Sequence, residues 1–186
     1  DWFDISTLKE PFRVEGKKTL GYEIAEQLGW RFPDVVVYET GGGTGLIGMW
    51  KAFVEIKSMG WVNDPLPRMV AAQSTGCAPV VKAFQERQRD TDFWENSDTV
   101  ALGLNVPGPL GGAWILDILR KSKGIAIMID EQRLKALTEE FNNLTSINSS
   151  DEGGVVWGAY SHLKKVGWIK PKERSVIFAT GIERIK

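Results

Sequence analysis

One cysteine and one histidine, Cys77 and His162, are all that the 186 residues contain of either. A lone thiol excludes an internal disulfide and a cysteine-based zinc cage, and it fits a reducing compartment such as the cytoplasm. Set in STGCAPV, Cys77 reads as a small buried side chain at a strand-to-helix junction. A lone imidazole with no partnering serine or cysteine motif leaves no triad to assemble, so His162, beside Leu163, reads as a structural residue. Excess charge of either sign is also lacking. With 23 basic and 24 acidic residues the formal net charge is −1, so no field exists to hold a nucleic acid or an anionic membrane surface. No apolar run approaches the length needed to span a bilayer, and the first residues, DWFDISTLKEPFRVEGKK, contain no signal-peptide core. That segment has no initiator methionine and reads as the interior of a protein, so the expectation is a portion of a larger chain. Internal repeats and low-complexity tracts are absent.

What is present suits a single compact domain over 1–186, with 42% hydrophobic residues to build its core. Short β-branched runs at 35–38, 69–72, 125–129 and 176–178 alternate with helical patterns. The alternation predicts a three-layer αβα fold around a mostly parallel sheet, and the nearly continuous apolar runs predict helices on both of its faces. Leu20, Ile24 and Leu28 line one helix, which Gly29 closes in a left-handed cap. Leu46, Met49, Trp50 and Phe53 line the next. Asp130 is placed to cap a helix with the stripe Leu134, Leu137, Phe141 and Leu144. A further helix carries Val156, Ala159, Leu163 and Val166 and is closed by Gly167. Helices are also expected from Leu110 to about Arg120 and, shorter, after Pro79. The eight tryptophans are scattered, which fits core or interface anchors better than a platform for stacked bases. Glu139 and Glu140 fall on a polar helix face and read as solvated.

The stretch VVVYETGGGTGLIGMW poses the functional question. Gly43, Gly45 and Gly48 satisfy G-x-G-x-x-G after a strand, but the next strand offers Gln73 and Ser74 where a dinucleotide site needs an acidic residue for the ribose. A nucleoside-triphosphate loop fails too, because Leu46 and Ile47 follow Gly45 where lysine and a hydroxyl residue are required. Two readings remain open at this level. Side-chain-free backbone can aim several N–H groups, together with the positive end of the following helix and the Thr44 hydroxyl, at one phosphate monoester. The same glycines can also form a strand-to-helix turn that binds nothing.

The segments STLKEPFRVEGKKTLGYEIAEQLGW, PDVVVYETGGGTGLIGMWKAF, PRMVAAQSTGCAPVVKAF, WENSDTVALGLNVPGPLGG and GWIKPKERSVIFATG follow one another along essentially the whole chain. Together they resemble threonine synthase of the fold-type-II pyridoxal-phosphate enzymes. The resemblance implies that Gly41, Gly42, Gly43, Thr44 and Gly45 cradle the phosphate of pyridoxal 5'-phosphate and that Thr180 hydrogen-bonds its ring nitrogen. It further implies that Leu102, Gly103 and Leu104 pass beside the ring and that Asp151 and Glu152 form an acidic-glycine turn near it, where capping of the following helix is at least as good a reading as chemistry. The implied reaction converts O-phosphohomoserine and water to threonine and phosphate, so the partner is a phosphorylated amino acid. A homodimer is implied for the full-length protein, and neither metal, membrane nor nucleic acid takes part. The lysine that carries the cofactor in the family lies in a motif upstream of the glycine loop, and nothing here matches it. Lys9, Lys17 and Lys18 sit in a different part of the pattern, so no catalytic residue is assigned. A C-terminal large-domain portion is therefore expected, inactive by itself.

Four positions depart from the pattern. Glu39 stands where proline commonly precedes the loop, Asn105 where arginine is frequent, Ala179 where asparagine precedes Thr180, and Ile182 where a small residue is usual. A carboxylate at Glu39 is unfavourable beside a dianion unless it points away. A threonine or serine dehydratase would share the cradle, as would a non-catalytic descendant that keeps the pocket.

Overall fold

The computed structural model describes residues 2–182. Four parallel strands, β1 (Val35–Glu39), β2 (Arg68–Ser74), β3 (Ile125–Ile129) and β4 (Ser175–Ile177), form one sheet in the order β3-β2-β1-β4. Val37 is the register partner of Val70 on one side and of Ile177 on the other. Successive side chains leave opposite faces of a strand, so β1 feeds two cores. Val36 joins one and Val35 and Val37 the other.

The first core is roofed by α1 (Phe12–Gln27), α2 (Thr44–Ser58), α3 (Pro79–Gln85) and α4 (Gly112–Lys121), which contribute Ile24, Phe53, Val81 and Leu116 respectively. The second lies under α5 (Leu134–Thr145) and α6 (Asp151–Lys165), through Leu137, Val156, Ala159 and Leu163. The three-layer αβα arrangement is thus the one the apolar runs predict.

Local chemistry explains most boundaries. The Glu10 carboxylate accepts from the backbone N–H groups of Phe12 and Arg13, capping α1, and Gly29 (φ 67°) and Gly167 (φ 72°) take the left-handed turns after α1 and α6. Asp130 accepts from Gln132 N at 3.1 Å, capping a 3-10 turn at Glu131–Arg133 that leads into α5. Buried Gln73 ties layers together: its Nε2 donates to the Thr40 carbonyl, while its Oε1 accepts from Val80 N and Val81 N at the start of α3.

Several expectations fail in detail. Leu144 and Val166 are exposed, because each lies at the last turn or cap of its helix, where the chain turns away from the sheet. Leu110 is exposed and α4 begins only at Gly112. The tryptophans divide: Trp50, Trp94, Trp157 and Trp168 are half-buried and pack against the two cores, whereas Trp2, Trp30, Trp61 and Trp114 are exposed, and the deepest positions go to Phe53, Phe141 and aliphatic residues.

Candidate functional site

In an open parallel sheet, ligands bind beyond the carboxyl ends of the strands where the strand order reverses. Here the chain steps from β1 to β2 to β3 in one direction, then returns across the sheet to place β4 on the far side of β1. The reversal lies between β1 and β4, and a cleft of about 1360 Å³ opens at their ends. Gly41, Gly42, Gly43, Thr44, Gly45 and Thr180 all line it. The six residues singled out in the sequence are therefore brought to one place, although the loop and Thr180 are separated by most of the chain.

The loop leaves β1 and turns into α2 at Gly43, whose φ of 79° is left-handed. A Cβ there would lie 2.2 Å from Ile115 Cδ1, and one at Gly45 would lie 2.1 Å from the Tyr38 hydroxyl. Close packing requires glycine at both positions, and at Gly43 the left-handed backbone requires it as well. Gly42 differs: a Cβ there would meet nothing nearer than Thr7 Cγ2 at 3.8 Å. Among the described residues, the backbone N–H groups at 41–45 donate to no carbonyl, and the first N–H of the α2 region to do so is that of Ile47, to Gly43 O. Free donors at a helix start, beside a side-chain-free surface, suit an anion the size of a phosphate.

Facing the loop, Thr180 follows β4. Its backbone N–H and its hydroxyl both donate to Glu39 Oε1, at 3.1 and 2.5 Å. Glu39 is 3% exposed, and its Oε2 is buried with no hydrogen-bond partner among the described residues. Burial pushes its carboxyl pKa up to about 7 against the pull of the Thr180 hydrogen bonds, and the negative charge of Glu152 adds to the rise. Burial, and then the Glu39 charge, likewise push the neighbouring Tyr38 up to about 12. Glu39 is thus engaged with Thr180 on the β4 side of the cleft, which answers the difficulty of a carboxylate next to a phosphate loop.

The remaining wall comes from the long connection between α3 and α4. Its 3-10 turn at Leu102–Leu104 is held by Glu152, which accepts from Gly103 N at 2.7 Å from the first turn of α6. Asp151 accepts from the Thr138 hydroxyl at 3.0 Å, a bond that pins α6 to α5. Glu152 therefore touches the predicted ring-side segment directly, whereas Asp151 serves helix packing. Of the departures, Glu39 and Ile182 line the cleft, and Asn105 and Ala179 are exposed and do not. Of the lysines ahead of the loop, Lys9 pairs with Asp4 and Lys18 with Glu15 and Glu55, while Lys17 borders the cleft. Cys77 is buried and His162 exposed, as expected of structural residues. Glu139 is exposed but does border the cleft.

Sequence reasoning missed the Glu39–Thr180 pair. The signal was a charged residue ending a strand that is otherwise apolar, but its partner lies 141 positions away. A second, smaller cleft of about 720 Å³ at the opposite strand ends is rich in basic residues. Its cations are largely claimed by protein atoms: Arg68 by Glu173 and the Trp168 carbonyl, and Lys57 by the Asp64 carbonyl. Among the described residues no cluster of acidic, histidine and cysteine side chains could hold a metal, and no helix is long and apolar enough to cross a membrane.

Comparison with known proteins agrees with this geometry. A family model described as "Pyridoxal-phosphate dependent enzyme" matches residues 1–181. The threonine synthase of Methanocaldococcus jannaschii is 30% identical over 171 residues, which are 92% of this chain and 42% of that protein. The chain thus spans less than half the length of that relative. Among solved structures, the processed form of threonine deaminase isoform 2 from Solanum lycopersicum superposes with a TM-score of 0.75 at 20% identity, over 97% of this chain and 48% of that one. Maize serine racemase gives 0.74 at 17% identity, over 97% and 52%. At those identities the superpositions speak for the fold.

Proposed function

This chain belongs to the pyridoxal-phosphate-dependent enzymes, and from that premise we propose that it forms the large-domain part of a threonine synthase-like lyase acting on O-phosphohomoserine. The observation that carries this reading is one cleft bounded on one side by the free N–H groups at 41–45 and on the other by the Thr180 hydroxyl. The relative named threonine synthase supports the choice of reaction.

When bound, pyridoxal phosphate supplies an electron sink for the negative charge that develops on substrate carbons. The chain's own residues supply binding and orientation. The N–H groups of the loop, the α2 dipole and the Thr44 hydroxyl hold the cofactor phosphate. Thr180 meets the ring nitrogen. The Leu102–Leu104 turn, fixed by Glu152, would pass beside the ring. The overall conversion takes O-phosphohomoserine and water to threonine and inorganic phosphate. The lysine, the substrate-side residues and the homodimer contacts belong in this reading to the rest of a longer protein, in a reducing compartment.

Amide spectra of the chain test the cradle. Inorganic phosphate and pyridoxal phosphate are each expected to shift the signals at 41–45, and unchanged spectra at saturation would favour the turn that binds nothing. Borohydride reduction with pyridoxal phosphate is expected to label no single lysine stoichiometrically; one dominant site would overturn the placement of the cofactor lysine outside this chain. The longest reading frame that contains the chain, assayed for phosphate release from O-phosphohomoserine against ammonia release from threonine, separates a synthase from a dehydratase using the same cleft.

A further inference from the structure

A hydroxyl alone accommodates either protonation state of a ring nitrogen, because it can donate or accept. At Thr180 that choice is tied to Glu39. Its hydroxyl lies 2.5 Å from Glu39 Oε1, to which it donates while the carboxylate is ionised, and the backbone N–H of the same residue donates to the same oxygen. The other oxygen, Oε2, is buried and has no partner among the described residues. The ionisable side chains in electrostatic reach of Glu39 are Tyr38, next to it on β1, and Glu152 on α6. Arg13, Lys17, Lys135, Glu139 and Asp151 border the same cleft. Among the described residues none of these bonds to Glu39. The buried carboxylate therefore lacks a compensating cation, and such a group needs a positive partner or a proton.

We propose that Glu39 is a positioning residue that acts through the Thr180 hydroxyl to fix the ring nitrogen of the bound cofactor in its protonated form. The proposal rests on the reading of Thr180 as the partner of that nitrogen. The proton count is closed. With Glu39 protonated, its carboxyl O–H donates to Thr180 Oγ1, and the threonine hydrogen is free to donate to a neutral nitrogen. With Glu39 ionised, the threonine hydrogen points back to Glu39, only lone pairs face the ring, and the nitrogen must carry the hydrogen. One proton moves from the carboxyl group to the nitrogen, and the buried negative charge gains the positive partner it lacks. The raised pKa of Glu39 fits such a pair, since its proton is weakly tied at neutral pH. A proline at position 39 could not do this.

Two measurements on this chain test the relay, and neither reads turnover. The first follows the Glu39 carboxyl carbon by 13C NMR through a pH titration, with and without pyridoxal phosphate. Cofactor is expected to lower its midpoint by about 1 pH unit or more, as an opposite charge at close range does. The second uses pyridoxal phosphate labelled with 15N in the ring, whose shift separates protonated from neutral nitrogen. Wild-type chain is expected to show the protonated position at neutral pH. Glu39→Gln and Thr180→Val are expected to show the neutral one, with phosphate-induced shifts at 41–45 retained. An unchanged Glu39 midpoint, or one ring position shared by wild type and Glu39→Gln, overturns the relay while leaving the phosphate cradle intact. Absence of any shift at 41–45 overturns the cradle and the relay together. The titration needs no variant, so a folding defect in Glu39→Gln leaves the proposal falsifiable.

Discussion

At the scale of single residues, the glycine loop separates into positions that packing demands and one that it does not. Gly43→Ala puts a Cβ at positive φ and against Ile115, so it is expected to lower stability by about 1–2 kcal/mol, measured by urea unfolding. Gly42→Ala meets open space. It is expected to leave stability within about 0.5 kcal/mol while weakening phosphate binding, measured by amide titration, because the methyl group intrudes on the cleft. Full retention of phosphate shifts in Gly42→Ala would mean that the anion does not sit there. Glu39 carries a pH signature with a definite sign. Its folded pKa of about 7 lies above the ordinary 4.5, so the folded state holds more protons than the unfolded state between those values. Stability is therefore lost as pH rises from 4.5 through about 7, by roughly 3 kcal/mol at order of magnitude. Glu39→Gln is expected to flatten that slope in unfolding curves taken across the window; an unaltered slope would assign it to another group.

At the scale of elements, the α1–α2 crossing decides how the cleft is roofed. Gly21 of α1 approaches α2 so closely that a Cβ would lie 2.7 Å from Ala52 Cβ, and a Cβ at Gly48 of α2 would lie 2.7 Å from that of Lys17. Gly21→Leu is expected to force the helices apart and cost about 1–3 kcal/mol by chemical denaturation. Gly16, on the same helix, faces nothing within 4 Å. Gly16→Ala is expected to stabilise the chain by about 0.5–1 kcal/mol, a rise in Tm, through helix propensity alone. Equal effects at the two positions would contradict the close crossing. The α1 boundary was partly legible as a pattern of Leu20, Ile24 and Leu28, but the face that small residues present was not. A glycine in a helix reads the same in sequence whether a neighbour touches it or water does.

At the scale of the whole molecule, large apolar side chains stay exposed, among them Trp2, Phe3, Phe12, Leu110 and Trp114. Such surface favours association. Sedimentation velocity over a concentration series is expected to show species heavier than the 20.7 kDa monomer as concentration rises, and a monomer throughout would show that this surface is inert. Four of the eight tryptophans, Trp50, Trp94, Trp157 and Trp168, pack half-buried against the two cores, and the other four stay exposed. Hydrophobicity tells that a side chain prefers burial, but whether a partner surface covers it is decided elsewhere.

The sequence by itself determined the layers, since β-branched runs of strand length flanked by helical stripes have one economical packing, with a parallel sheet covered on both faces. It also determined the glycine loop and the left-handed caps, because backbone conformation there is a local property of the residues. Only the tertiary structure decided that Thr180 closes the same cleft, that Glu152 grips Gly103, and that the Glu39 carboxylate turns toward Thr180 instead of the loop. Those contacts join residues far apart in the chain through parallel strand order, and local sequence exerts no force over such separations. The fold brings them together by burying the apolar faces of the strands and helices that carry them.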